Sequence, residues 1–146
     1  MSRIDEASIE ILASAETLYA AFADPARLMR WLPPGTMTGQ ALEYDFQVGG
    51  RYRIALSYAV GSRTDVSHGR FLELEPGRRI VQSVEFESPD AALQGEMILR
   101  WTFEPTSAGT SVSVRASGVP AGIRPEDHAL GMRSSLENLR RFVMEA

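Results

Sequence analysis

The sequence predicts an α+β fold. A curved, seven-stranded antiparallel sheet carries two short helices and a long C-terminal helix, with a cavity between that helix and the sheet. Three observations predict it. Pro125 to Ala146 is the one long helical pattern in the chain. Six short alternating segments between residues 41 and 118 are joined mostly by glycine and proline turns. A further alternating segment opens the chain, ahead of two short helical stretches. A long amphipathic helix has an apolar stripe to cover, and a sheet with one apolar face covers it.

Residues 3–12 alternate, with Ala7, Ile9 and Ile11 on one side. Ser14 then reads as an N-cap with Glu16 in the first turn, and ETLYAAFA follows as a helix. Asp24-Pro25 stops it and starts another, ARLMRWL, with Asp24 as the cap and Pro25 at the first position. Pro33-Pro34-Gly35 ends that helix. Leu28, Met29 and Trp31 make its apolar side, which serves either as core or as a gate over the pocket mouth.

Strands are predicted at about 41–46, 51–60, 64–75, 79–87, 96–104 and 110–118. Gly49-Gly50 makes the first turn, where at least one residue needs a positive φ. Tyr52, Ile54, Leu56, Tyr58 and Val60 share one face of their strand. Val66, His68, Leu72 and Leu74 share one face of the next, where Gly69 marks a bulge or a close backbone approach. Ile80, Gln82, Val84 and Phe86 then face inward, followed by Met97, Leu99, Trp101 and Phe103, and by Val112 and Val114. In the last helix Ala129, Met132, Leu136, Leu139 and Val143 form the apolar stripe, widened by Phe142. Glu126 and Asp127 sit at the positive end of its dipole, and Arg140 and Arg141 near the negative end.

The 146 residues suggest a single domain over 1–146. The net charge of −4 argues against a nucleic-acid partner, which needs clustered positive charge. No run is long enough for a membrane span, and the start MSRIDEASIEI lacks the apolar core of a signal peptide, so a cytoplasmic protein is expected. There is no cysteine and no lysine; all fifteen basic residues are arginine. Disulfides, thiolate catalysis, cysteine-ligated metals and Schiff-base chemistry are thereby excluded. No phosphate-cradling glycine loop, nucleophile elbow or HExxH site is present. The two histidines, His68 and His128, stand sixty residues apart, so no metal and no cofactor are expected.

Several fragments, in this order, carry a resemblance. They are Ala23-Asp24-Pro25-Ala26 with Leu28 and Trp31; Asp45-Phe46-Gln47-Val48-Gly49-Gly50 with Tyr52; and Gly69 with Phe71-Leu72-Glu73-Leu74-Glu75-Pro76. Gly109-Thr110 and His128-Ala129-Leu130-Gly131 follow. Across nearly its whole length the chain resembles the SRPBCC, or START-like, superfamily of lipid-transfer proteins, polyketide cyclases and birch-pollen-allergen-like proteins. Within it, the chain is similar to the bacterial branch named after the activator of the heat-shock-protein-90 ATPase. The resemblance implies a helix-grip fold with a cavity under the C-terminal helix, and no particular reaction. Many relatives have tryptophan after the glycine of the last helix; Met132 stands there in this chain, which implies a differently shaped end to the pocket.

The expected function is binding of a small apolar or amphipathic ligand in that cavity. Strand parity gives Trp31, Tyr58, His68, Gln82, Leu99, Trp101, Met132 and Leu136 as its contacts, with His68, Tyr58 and Gln82 orienting the ligand's polar end. An enzyme of cyclase, dehydratase or hydrolase type is the less favoured alternative, with His68 as its acid or base. A co-chaperone-like interaction module is the third. A homodimer and a protein partner are left open by the residues.

Overall fold

A computed structural model of the chain describes residues 3–145. Seven strands form one sheet: β1 (Ile4–Ile11), β2 (Thr38–Tyr44), β3 (Arg51–Ser57), β4 (Thr64–Glu75), β5 (Arg79–Phe86), β6 (Met97–Pro105) and β7 (Thr110–Ser117). Their spatial order is β1-β7-β6-β5-β4-β3-β2, and each neighbouring pair is antiparallel. Three α-helices complete the fold: α1 (Ala15–Ala23), α2 (Pro25–Trp31) and α3 (Pro125–Met144). This is the α+β helix-grip arrangement that the sequence predicts. Its strands end within a few residues of the expected limits, and Ala146, included in the predicted helix, lies outside the described residues.

Local chemistry fixes the elements. The Ser14 hydroxyl accepts from the Thr17 N–H at 3.1 Å, and Asp24 Oδ1 accepts from the Ala26 N–H at 2.9 Å, so both short helices have capped N-termini. Gly49 has φ +82°, as the turn requires. At Gly69 a Cβ would stand 1.8 Å from the Ser83 carbonyl oxygen, so the missing side chain lets β4 and β5 approach closely.

The inner face of the sheet follows from its register, because cross-strand partners share a face. On β1 and β7 it carries Ile9 opposite Val112 and Ala7 opposite Val114; on β6 and β5, Trp101 opposite Ile80 and Leu99 opposite Gln82. At one end this face is filled by aromatic rings. Phe22 packs edge-on against Trp31, Trp101 and Phe103, and Phe46 against Tyr19 and Phe71. Leu136 and Leu139 of α3 complete this core with 1% and 0% exposure. The close backbone approaches of α3 are to β1, α1 and α2.

The α2–α3 contact is polar as well as apolar. Ser135 Oγ donates to the Leu32 carbonyl oxygen at 2.7 Å. Asn138 Nδ2 donates to the carbonyl oxygens of Trp31 and Pro33 at 3.1 and 3.0 Å. These are carbonyls that the end of a short helix leaves without partners. Trp31 itself has no exposed surface, and its indole N–H donates to the Ala21 carbonyl oxygen at 3.0 Å. In this structure α2 therefore packs into the core and is held by α3.

Candidate functional site

Among the inner-face residues that keep partial exposure beside the core are Leu56 on β3, Ser67 on β4, Gln82 and Phe86 on β5, and Leu99 on β6. Their pairings hold them on one face. Ser67 is opposite Ile54 and Phe86, and Gln82 is opposite Leu99. Met132 of α3 belongs to the same apolar cluster, with Met29 and Leu32 packed against it. A Cβ on Gly39 would meet Met29 Sδ, Pro33 and Leu56 together, which places the end of β3 against the α2 side of the fold.

Two polar groups are built into this wall. Trp101 Nε1–H donates to Gln82 Oε1 at 3.1 Å. The Gln82 amide also meets the Tyr52 hydroxyl, which donates to the Ser83 carbonyl oxygen at 2.5 Å. Burial pushes the Tyr52 phenol well above its ordinary range, so it stays neutral and serves as a donor. A primary amide offers two donors and two lone pairs, so Gln82 keeps a donor and an acceptor site after these contacts.

Tyr58 stands just beyond β3, 37% exposed. Its hydroxyl donates to Asp65 Oδ2 at 3.1 Å, and the Arg63 guanidinium lies over its ring at 4.8 Å. Partial burial raises its phenol pKa, Asp65 adds to the shift, and the charge of Asp127 on α3 contributes as well.

The predicted contacts divide accordingly. Gln82, Leu99 and Trp101 come together on β5 and β6, and Met132 and Leu136 belong to the same buried cluster as Trp101. Trp31 packs behind Trp101 with its surface wholly covered, and Tyr58 is at the rim. His68 is on the other side. It pairs with Arg53, whereas Ile54 pairs with Ser67, so β4 turns Ser67 and Gly69 inward and His68 outward. The sequence reading took Val66, His68, Leu72 and Leu74 as one inner row. A register shift between Phe71 and Glu73 returns Leu74 to the inner face, leaves Leu72 43% exposed, and breaks that parity.

On the outer face His68 sits in a charged group. Its Nδ1 is 3.0 Å from Glu87 Oε2 and its Nε2 is 3.4 Å from Glu85. Arg53 donates twice to Glu87, at 2.8 and 2.7 Å. The Arg53 hydrogen bonds, more than the His68 contact, hold the Glu87 carboxyl down at about 2. As an acid or base for a ligand under α3, His68 is on the wrong side of the sheet.

A different histidine does reach the inner face, from the first turn of α3. His128 Nδ1 is 2.8 Å from Asp5 Oδ2 on β1, and Arg3 also donates to that carboxylate at 2.9 Å. The signal was present, since Asp5 shares the parity of Ala7 and Ile9 on an otherwise apolar face. Two surface grooves, of about 470 and 540 Å³, lie outside the sheet–helix space. Among the described residues no three histidine, aspartate or glutamate side chains converge as metal ligands, and no helix is long and apolar enough to cross a membrane.

The model of the family described as activator of Hsp90 ATPase homolog 1-like protein matches residues 12–144. The chain belongs to this family. Among solved structures, a protein of Chromobacterium violaceum is 36% identical with a TM-score of 0.90, over 96% of each chain. A protein of Rhodobacter sphaeroides shares the fold at 20% identity and a TM-score of 0.82, over 99% of each chain. The AHSA1-like protein from Aeromonas hydrophila shares it at 20% identity and a TM-score of 0.78, over 98% of this chain and 93% of its own. No curated protein matches the chain. Membership in the activator of Hsp90 ATPase homolog 1-like family agrees with the observed sheet order and C-terminal helix, and it brings a fold generally suited to holding ligands.

Proposed function

We propose that this protein binds a small apolar or amphipathic ligand in the cleft between the inner face of β3–β6 and the N-terminal half of α3. The observation that carries the reading is the partial exposure of Leu56, Ser67, Gln82, Phe86 and Leu99 on neighbouring strands of the inner face, beside the buried Ile54, Phe71, Val84 and Trp101. Such a wall offers apolar area and few polar groups, the usual make-up of a small-molecule site. Burying apolar ligand surface there contributes roughly 25 cal/mol per Å².

Gln82 orients the ligand's polar end with its remaining donor and acceptor, and Ser67 adds a hydroxyl. Leu99 and Met132 supply apolar contact, and Trp101 and Leu136 form the wall behind them. Trp31 supports Trp101 and does not touch the ligand. Tyr58, tied to Asp65 at the β3–β4 hairpin, sits at the entrance. Methionine side chains at Met29, Met97 and Met132 repack at low cost, which suits a site that adjusts to its occupant. The role is one of holding. No cofactor or metal is invoked, and the acid or base that the sequence reading assigned to His68 has no place in it.

Native mass spectrometry of the purified protein, followed by solvent extraction, tests this reading. A retained small apolar molecule, absent from a Leu99→Trp variant that fills the cleft, is the expected result. A bare mass, with no thermal shift across a panel of fatty acids and aromatic polyketides, would contradict it.

A further inference from the structure

The outer face of the sheet carries two cross-strand arginine pairs, Arg51 opposite Arg70 and Arg100 opposite Arg115. Like charges set directly across a sheet destabilise it, so each pair gains from a nearby anion. Arg115 has one, in Glu6 at 4.0 Å. On the neighbouring strand β5 and just beyond it, two carboxylates are committed elsewhere. Glu87 is held by Arg53 and His68, and Glu85 lies against His68. No carboxylate among the described residues comes within 4.0 Å of Arg51 or Arg70. Arg70 Nη1 donates once, to the Gly49 carbonyl oxygen at 3.0 Å, and a guanidinium has five donors.

Ser83 on β5 lies beside Arg70 of this pair and is 7% exposed. Its Oγ accepts from the Arg70 backbone N–H at 3.0 Å, which leaves the hydroxyl hydrogen to donate. All three residues line the outer groove of about 470 Å³. The Arg100–Arg115 pair does not line it.

We propose that Arg51, Arg70 and Ser83 form an oxyanion site on the outer face, for a small molecule bearing a phosphate or carboxylate group. Guanidinium groups meet both groups with paired, charge-assisted hydrogen bonds, and they remain charged throughout the physiological pH range. Glu43, Glu85 and Glu96 line the same groove. A ligand with one anionic end and a neutral or cationic remainder therefore fits, and a polyanion such as nucleic acid does not. The site is on the opposite side of the sheet from the cleft under α3, so the two are occupied independently.

Titration of the isotope-labelled protein with inorganic phosphate, and in parallel with acetate, tests this by NMR at constant ionic strength set with chloride. Saturable shifts are expected at the Arg70 and Ser83 amides and at the side-chain Nε–H groups of Arg51 and Arg70. The Arg51→Gln/Arg70→Gln double variant is expected to weaken half-saturation at least tenfold, and Arg100→Gln/Arg115→Gln less than twofold. Whichever probe binds more tightly names the group recognised. Should the first double variant fail to fold, Arg51→Gln alone, at an exposed position, is expected to weaken binding at least threefold. Shifts that do not saturate with either probe, or equal losses in the two double variants, would overturn the proposal.

Discussion

His128 Nδ1 lies 2.8 Å from Asp5 Oδ2, so the first turn of α3 is tied to the edge strand β1. The pair is well covered, with side chains 16% and 11% exposed. Burial pushes the Asp5 carboxyl up, but the hydrogen bonds from His128 and Arg3 outweigh it and hold the group below its ordinary 3.8. A carboxyl more acidic in the folded chain than in the unfolded one adds stability that is complete above about pH 4. That stability is lost as pH falls through the folded value. Asp5→Asn is therefore expected to cost about 1–3 kcal/mol at neutral pH and to flatten the loss of stability on acidification. Denaturant unfolding at pH 7 and at pH 3 reads both effects; an unchanged pH slope would count against the pair.

Two glycines give opposite expectations. Gly69→Ala drives a Cβ against the Ser83 carbonyl oxygen and the Tyr52 hydroxyl, and a backbone atom cannot move aside cheaply. The expected loss is roughly 3 kcal/mol. Gly131 lies inside α3, and a Cβ there meets nothing within 4 Å. Gly131→Ala is expected to stabilise by about 0.5–1 kcal/mol through helix propensity alone. Thermal midpoints of the two variants moving in the same direction would contradict the geometry.

Asn138→Ala removes the donor shared by the Trp31 and Pro33 carbonyl oxygens. The expected cost is about 1–2 kcal/mol. Because Asn138 clamps the end of α2, hydrogen exchange should accelerate in residues 28–33 more than in the sheet. Uniform acceleration would show only a global loss of stability.

Much of this fold was legible because its signals are local. Ser14 and Asp24 cap helices by their own side chains, Gly49 makes a turn that its sequence demands, and α3 has an apolar stripe over about four turns. The site was less legible because parity accumulates errors. The register shift between Phe71 and Glu73 set Leu74 inward while His68 points outward, and no residue type announces that shift. Gly69 did announce a close approach, although not to which atom. Trp31 is among the ligand contacts expected from the sequence, but only the packing of Phe22 and Trp101 around it shows that its surface is covered. Asp5 and His128 are 123 residues apart, so their contact becomes visible only when α3 is laid on β1.

The central claim, a ligand cleft between β3–β6 and α3, is tested most directly by methyl NMR during titration with 1-anilinonaphthalene-8-sulfonate as an amphipathic probe. Saturable shifts should centre on the methyl groups of Leu56, Leu99, Met29 and Met132, and Leu99→Trp should abolish them with the rest of the spectrum intact. An absence of saturation at those methyls, or shifts confined to the outer face around Arg51 and Arg70, would contradict it.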